Sequence, residues 1–199
     1  MVPRSQINTS ETAMSVTSTE ARLDPTGLAV RALFLYSLAE FQSGHATTIR
    51  ITAEGASFSI ADNGRGHPID RAVEGTPYLK FIYTHFDYPF ESGQSSPIQL
   101  QGIGMSLVNA LCSELALTVR KRDETLQLLF RDGKLHESNR TNVKSEETGI
   151  TVSATISPQL QRDSVAVEQL QVWLLSILAS SPSLKLYFNG HELHAQPAK

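Results

Sequence analysis

Hydrophobic side chains follow a helical spacing in two long stretches of the chain. Within residues 27–43 they recur at intervals of three and four positions, at Leu28, Val30, Leu33, Phe34, Leu38 and Phe41. This spacing predicts a helix with one broad buried face, which Gly44 ends. Residues 164–181 ("SVAVEQLQVWLLSILASS") predict a second, strongly apolar helix. Trp173 lies on its apolar face, so we expect that side chain to be part of the core.

Alternating apolar and polar positions predict the strands. "TTIRIT" and "SFSIAD" both alternate and are joined by "AEGA", which predicts a hairpin whose second strand runs into residues 61–70. "ELALTVRKR", "TLQLLFRDGK" and "GITVSATI" predict three further strands. "SLKLYFNGHELH" predicts a closing hairpin, because "NG" favours a tight two-residue turn.

Two segments between these strands predict shorter elements. "PYLKFIYTHF" is consistent with a short helix, and "GIGMSLVNALCS" places two glycines directly before another apolar helical pattern. The segment "DYPFESGQSSPIQLQ" between them is rich in Pro, Gly and Ser, and predicts a long lid or binding loop.

Because strands mostly follow one another directly, the order of elements predicts an α+β fold. We expect a two-layer sandwich, a mixed but largely antiparallel sheet with helices on one face. The length of 199 residues suits one folded domain, which we place at residues 23–199. Residues 1–22 are polar and rich in Ser and Thr, which predicts a flexible N-terminal arm rather than a secretory signal.

Composition narrows the class of protein. The net charge of −3 predicts no nucleic-acid surface, and no apolar run approaches the roughly 20 residues of a membrane span. Cys112 is the single cysteine, so we expect a buried, inert thiol and a cytoplasmic, reducing location. The six histidines show no spacing typical of zinc sites. "VRKR" at residues 119–122 is interpreted as a solvated strand end.

Two loops contain the residues with the clearest chemistry. Asp62 ends a predicted strand and can accept a hydrogen bond from an exocyclic amine, while Gly64 and Gly66 let a flat ring approach the backbone. Gly102 and Gly104 open a predicted helix, whose free N–H groups favour a phosphate. Each loop alone is a weak signal.

Taken together and in this order, the two loops resemble the GHKL nucleotide-binding superfamily. "DNGRGHP" at residues 62–68 and "GIGMSLVNAL" at residues 102–111 are most similar to the N-terminal ATPase domain of gyrase B and related type II topoisomerases. "SELALTVRKR" and "TGITVSATISP" extend the resemblance, which covers residues 27–192. The resemblance implies the Bergerat fold and ATP or ADP as the ligand.

The resemblance also implies roles for individual residues. Asp62 is expected to bind the adenine amino group, and Arg65 to pair with Glu40 on the first helix. The full set of nucleotide-binding residues that it implies is Asp62, Gly64, Arg65, Gly66, Pro68, Gly102, Ile103, Gly104, Thr148 and Gly149. Adenine nucleotide, and a protein partner or a second copy of the chain, are the implied partners; neither a membrane nor direct DNA contact is implied.

The chain departs from the family pattern at the catalytic positions. Counted back from Gly44-His45, the family's catalytic glutamate falls on Ala32 and its Mg²⁺-binding asparagine on Tyr36. No catalytic residue is therefore identified, and Mg²⁺ is a doubtful cofactor. Residues 85–101 contain no Lys or Arg, and Ile150 stands where the family has a threonine.

Three functions stay open from the sequence. The first is a nucleotide-binding module that hydrolyses weakly or not at all, a pseudo-ATPase. The second is an active ATPase domain of a divergent topoisomerase subunit, with a replacement acid elsewhere. The third is an interaction scaffold that binds no nucleotide.

Overall fold

The structure is a computed structural model and describes residues 24–85, 104–161 and 167–195. The predicted N-terminal arm lies outside the described residues. So do the whole of the predicted long loop and the site residues Gly102 and Ile103.

An eight-stranded sheet and four α-helices make up most of the described chain. The helices are α1 (Pro25–Gln42), α2 (Tyr78–Thr84), α3 (Met105–Leu111) and α4 (Val167–Ala179). The strands are β1 (Thr48–Glu54), β2 (Ser57–Asp62), β3 (Ala72–Val73), β4 (Thr76–Pro77), β5 (Cys112–Arg120), β6 (Thr125–Arg131), β7 (Lys134–Thr141), β8 (Gly149–Ile156), β9 (Lys185–Phe188) and β10 (His191–Leu193).

The large sheet has the strand order β10-β9-β1-β2-β8-β5-β6-β7. Its pairings are antiparallel except that of β1 with β9, which is parallel. Burial alternates along β1, β5 and β8, so one face of the sheet carries the core. Buried residues of all four helices join the same hydrophobic cluster. The predicted α+β class, with a largely antiparallel sheet, is confirmed.

The two predicted hairpins are present. β1 pairs with β2 through Ile51 opposite Ile60. β9 and β10 are joined by Asn189 and Gly190, with φ values of 48° and 84°. Both residues therefore have the left-handed backbone that a tight "NG" turn requires.

Two features differ from the sequence interpretation. The predicted strand "TLQLLFRDGK" ends at Arg131, and a turn leads into β7, which was not predicted. β7 is an edge strand that is exposed over most of its length. Its sequence therefore lacks the alternation of apolar and polar residues that predicts a strand. The short ribbon of β3 and β4 was also missed.

The prediction for Cys112 was right about burial and wrong about the element. Cys112 begins β5 instead of continuing the preceding helix, and its thiol donates to the Val108 carbonyl at 3.1 Å. Burial raises the pKa of the Cys112 thiol to about 12, which makes it unreactive at neutral pH.

Trp173 is only half-buried and joins the core at its margin. Its ring packs edge-on against Phe34 at 5.3 Å, and the Arg31 guanidinium lies 4.8 Å from its ring centroid.

Among the described residues, no helix is both long and apolar enough to cross a membrane.

α1 positions the candidate site. Asp24 caps its N-terminus by accepting from the Gly27 N–H at 2.9 Å, and the helix packs on β1 and β2. Its C-terminal half therefore lies against the end of β2, where Asp62 is located.

Candidate functional site

A cavity of about 420 Å³ opens between α1, the loop after β2, and the ends of β5 and β8. This volume lies within the range of small-molecule sites. The cavity is lined by Tyr36, Ala39, Glu40, Asp62, Arg65, Gly66, His67, Pro68, Tyr78, Lys121 and Ile150. The structure thus brings together four residues of the predicted nucleotide-binding set and the supporting Glu40.

Asp62 is the last residue of β2, and its carboxylate is held by donors from two directions. The Ser37 hydroxyl donates to Oδ2 at 2.6 Å, and the Gly64 N–H donates to Oδ1 at 2.9 Å. Burial raises the pKa of the Asp62 carboxyl, and these two hydrogen bonds act against that rise. Ser37 is fully buried, and no pattern in the sequence indicates its role, because it lies on an apolar helix face.

Gly66 and Gly149 let the loop pack directly against the sheet. Gly149 has a φ of 128°, and a Cβ there would overlap the carbonyl oxygen of Asp62. Gly66 has a φ of 68°, and its Cβ would lie 3.0 Å from Val119 Cγ1. These glycines therefore have a packing role in addition to the ligand role expected from the sequence.

Arg65 and Glu40 form a pair with three hydrogen bonds. The Arg65 guanidinium donates to Oε1 at 2.8 Å and to Oε2 at 3.2 Å, and its backbone N–H also reaches Oε2 at 3.2 Å. Burial by itself raises the pKa of Glu40, but the contacts with Arg65 outweigh it, and the pKa lies below its usual value. Glu40 is therefore an ionised structural partner of the loop.

Lys121 faces the cavity, contrary to the interpretation of "VRKR" as a solvated strand end. Its ammonium group donates to the carbonyls of Arg65 and Gly66 at 2.8 and 3.1 Å. No sequence pattern indicates this contact, because the two segments are more than fifty residues apart. Burial lowers the pKa of the Lys121 ammonium group.

Asn63 and His67 complete the loop. The Asn63 side-chain oxygen accepts from the N–H groups of Thr47 and Thr48, both at 2.9 Å, and so ties the loop to the start of β1. His67 lines the cavity, and burial lowers its pKa to about 4, so its imidazole is neutral at pH 7.

The two expected catalytic positions lie in different surroundings on α1. Ala32 is buried in the core with 4% of its surface exposed and does not line the cavity. Tyr36 does line it. Burial raises the pKa of the Tyr36 phenol, which is therefore neutral at pH 7.

The remaining predicted site residues lie around the cavity or beyond the described chain. Gly104 is the N-cap residue of α3 and is exposed. Thr148 precedes β8, and Pro68 and Ile150 line the cavity wall. In the part of the chain that the structure describes, no three His, Cys, Asp or Glu side chains are grouped closely enough to hold a metal ion.

Sequence comparisons identify relatives among the type II topoisomerases, although no protein-family model matches the chain. The B subunit of DNA gyrase from Campylobacter jejuni is 35% identical over 128 residues, which is 58% of this chain and 16% of that protein. The B subunit of DNA topoisomerase 4 from Borreliella burgdorferi is 33% identical over 111 residues, 56% of this chain and 18% of that protein. The chain therefore spans less than a fifth of each of these relatives.

A solved structure shares the fold over most of the chain. The topoisomerase IV ATP binding domain of Francisella tularensis, in complex with a small molecule inhibitor, superimposes with a TM-score of 0.70. The match covers 84% of this chain and 85% of that chain at 21% identity. Sequence and fold together confirm the resemblance: the relatives of this chain include the B subunits of gyrase and topoisomerase IV, and the chain shares the fold of the topoisomerase IV domain.

Proposed function

We propose that the cavity binds an adenine nucleotide, ATP or ADP, and that the domain hydrolyses it weakly or not at all. The observation that carries the proposal is the half-buried carboxylate of Asp62. It lines the cavity and also accepts hydrogen bonds from Ser37 and Gly64 within the protein. An ionised carboxylate can only accept hydrogen bonds, so it suits the amino group of adenine.

The rest of the base-binding end supports the same ligand. Gly66 lines the cavity, where a flat ring can pack against the loop, and Pro68 and Ile150 supply apolar wall. Lys121 holds the carbonyls of Arg65 and Gly66 in place. These groups form a mostly apolar pocket with a few fixed polar atoms, which is typical of small-molecule sites.

Weak hydrolysis is inferred from what replaces the family's general base. Position 32 holds a buried alanine, and alanine cannot activate water. Glu40, the acid that lines the cavity on α1, is committed to Arg65. Loss of a general base lowers an enzymatic rate by about 10²–10⁴-fold, so we expect turnover to be slow or undetectable.

Mg²⁺ is not expected to contribute to binding through α1. Tyr36 holds a neutral phenol, whereas Mg²⁺ prefers carboxylate, phosphate and water oxygens. The nucleotide then acts as a switch that favours one conformation for a protein partner or a second copy of the chain, instead of as an energy source.

A scaffold that binds no nucleotide is the second candidate. It is favoured by the packing role of Gly66 and Gly149, since both glycines are explained by the fold without a ligand. An active ATPase is the third, and needs a catalytic acid other than Glu40.

The deciding experiment is isothermal calorimetry with ADP and a non-hydrolysable ATP analogue, each with and without Mg²⁺. Binding that Mg²⁺ leaves unchanged supports the proposal. Tight binding that requires Mg²⁺ favours an active ATPase, and no binding favours the scaffold. Asp62→Asn should abolish nucleotide binding. Glu114→Gln, which removes a carboxylate on the surface, is the matched control. Unchanged affinity in Asp62→Asn contradicts the proposed pocket.

A further inference from the structure

Ser37 is a buried polar side chain on a helix face that otherwise enters the core. It is 0% exposed, and its neighbours Leu33, Phe34 and Leu38 are also buried. A buried hydroxyl without a partner costs about 1–3 kcal/mol, so the hydrogen bond of Ser37 has to be identified.

A helical serine usually satisfies its hydroxyl on its own helix. The two serines near the end of α4 do so: Ser176 donates to the Trp173 carbonyl at 2.6 Å, and Ser180 to the Ile177 carbonyl at 2.8 Å. Ser37 instead donates to Asp62 Oδ2, across 25 positions of sequence, at 2.6 Å. Its hydroxyl is therefore directed at the candidate site, and helix formation does not require that direction.

The contact decides what hydrogen bonds Asp62 can offer a ligand. The Ser37 hydroxyl donates to Oδ2 and the Gly64 N–H to Oδ1, so both oxygens already accept a hydrogen bond from the protein. Two donors on a carboxylate favour its ionised form, which has only acceptor sites left. A ligand therefore has to present a donor at this point. A 6-amino group that faces Asp62 donates, whereas a 6-oxo group in the same place would set a second acceptor against the carboxylate.

We propose that Ser37 is a positioning residue that keeps Asp62 an acceptor, so that the cavity selects purines with a 6-amino group over 6-oxo purines. The inference rests on the proposed function, because it concerns the same carboxylate. It adds a residue outside both glycine loops and a chemical criterion for the ligand.

The charged and titratable groups around Asp62 set the pH range of the test. Burial raises the pKa of Asp62 first of all. Hydrogen bonds from Ser37 and from the backbone of Gly64 and Ile150 lower it, and the charge of Glu40 raises it. The other ionisable groups that line the cavity are Tyr36, Arg65, His67, Tyr78 and Lys121. The pKa of His67 is lowered to about 4, and the pKa of Glu40 is also lowered. The pKa values of Tyr36 and Arg65 are raised. Burial also lowers the pKa of Lys121.

The sign of the effect follows from these contacts. Removing the Ser37 hydroxyl removes a contact that lowers the pKa of Asp62, so the pKa rises further in Ser37→Ala. Affinity for a 6-amino purine is lost as the pH falls through that pKa, because a protonated carboxyl no longer offers two acceptor oxygens. The pH at which half of the affinity is lost is therefore higher in Ser37→Ala than in the wild type.

The experiment compares ADP with inosine diphosphate, its 6-oxo counterpart, by calorimetry over a series of pH values. The proteins are the wild type, Ser37→Ala, Ser37→Thr, which keeps the hydroxyl, and Ser176→Ala, which removes a serine bonded to its own helix. We expect Ser37→Ala to bind ADP about 10-fold more weakly at neutral pH, as for loss of a hydrogen bond to a charged group. The ratio of the affinities for ADP and inosine diphosphate should be smaller in Ser37→Ala than in the wild type. Both affinities should be unchanged in Ser176→Ala.

A second readout does not depend on ligand affinity. The carboxyl carbon of Asp62, followed by NMR in the free protein, should titrate at higher pH in Ser37→Ala and near the wild-type pH in Ser37→Thr. Far-UV circular dichroism and thermal unfolding verify that the variants fold.

The outcomes separate the two proposals. Wild-type protein that binds neither nucleotide overturns the proposed function and this inference with it. Wild-type protein that binds ADP, with the same purine preference and the same Asp62 titration in Ser37→Ala, overturns this inference alone.

Discussion

The two ends of the cavity are built in different ways. At the end near β2, the Asp62 carboxylate receives hydrogen bonds from Ser37 and Gly64, and the loop is fixed by further contacts. At the end formed by α1, the two positions that the resemblance aligns with the family's catalytic residues hold Ala32, which is buried and does not line the cavity, and Tyr36, which lines it with a neutral phenol. Under the proposed function, recognition of the base can therefore persist when hydrolysis is lost.

The largest expected effect comes from Gly149→Ala, which disrupts the β2 end. A Cβ at position 149 would overlap the Asp62 carbonyl oxygen, and the φ of 128° is unfavourable for alanine. We expect a loss of about 3 kcal/mol in the free energy of unfolding, measured by urea denaturation. Gly190→Ala is the matched control, because Gly190 has a left-handed φ of 84° with no atom within 4 Å. Equal losses in both would show that backbone strain, not the contact with Asp62, is responsible.

The α1 end is tested by restoring the family residues. Ala32→Glu alone places a carboxylate in the core, where an unpaired charge is costly, and we expect a loss of about 2–3 kcal/mol of stability. Adding Tyr36→Asn removes a large ring one turn away and should recover part of that loss.

The same double variant should raise phosphate release above the wild-type rate if only these two groups are missing. Tyr36→Asn alone is the control, since it opens the cavity without supplying a base. If the double variant is stable but releases phosphate no faster than the wild type, then the residues at positions 32 and 36 do not by themselves account for the slow hydrolysis.

The sequence predicted the frame of the fold better than the contacts of the site. Alternation located β1, β2, β5 and β8, because each has one buried face and one outer face, and the "NG" pair located the last hairpin. β7 escaped because it is a polar edge strand with little alternation of burial. The glycine loops, read together, led to the family and so to Asp62 and Glu40.

Ser37 and Lys121 could not be found in the same way. Their roles are hydrogen bonds across 25 and more than fifty positions of sequence, which no local pattern encodes. A buried serine is indistinguishable in sequence from one bonded to its own helix, and a basic strand end is usually solvated. Both contacts depend on the tertiary packing of α1 and β5 around the loop.

A smaller effect is expected from Glu40→Gln, which loosens the loop at the β2 end. The Arg65–Glu40 pair is bidentate and partly shielded, with 27% of the Glu40 side chain exposed. We expect a loss of about 1 kcal/mol, measured by thermal unfolding. Glu114→Gln removes the comparable but more exposed pair with Arg131 and should cost less than about 0.5 kcal/mol. A larger loss in the control would show that the pair at the cavity has no special role in stability.

The smallest effect, and the only expected gain, comes from Tyr83→Phe behind the α1 end. The Tyr83 hydroxyl is fully buried, and no atom of the described chain forms a hydrogen bond with it. Burial raises the pKa of this phenol, and the cavity residues Tyr36 and Tyr78 raise it further. Its ring stacks on Phe130 at 5.3 Å and should keep that contact as phenylalanine.

Removing an unpaired buried hydroxyl should therefore stabilise the fold by up to about 1 kcal/mol in urea denaturation. Tyr187→Phe, on the half-buried β9 strand, should leave stability unchanged. A loss of more than about 1 kcal/mol in Tyr83→Phe would mean that the hydroxyl has a partner, such as a buried water. The α1 end would then hold an ordered polar network of its own, and the contrast with the satisfied carboxylate at the β2 end would no longer hold.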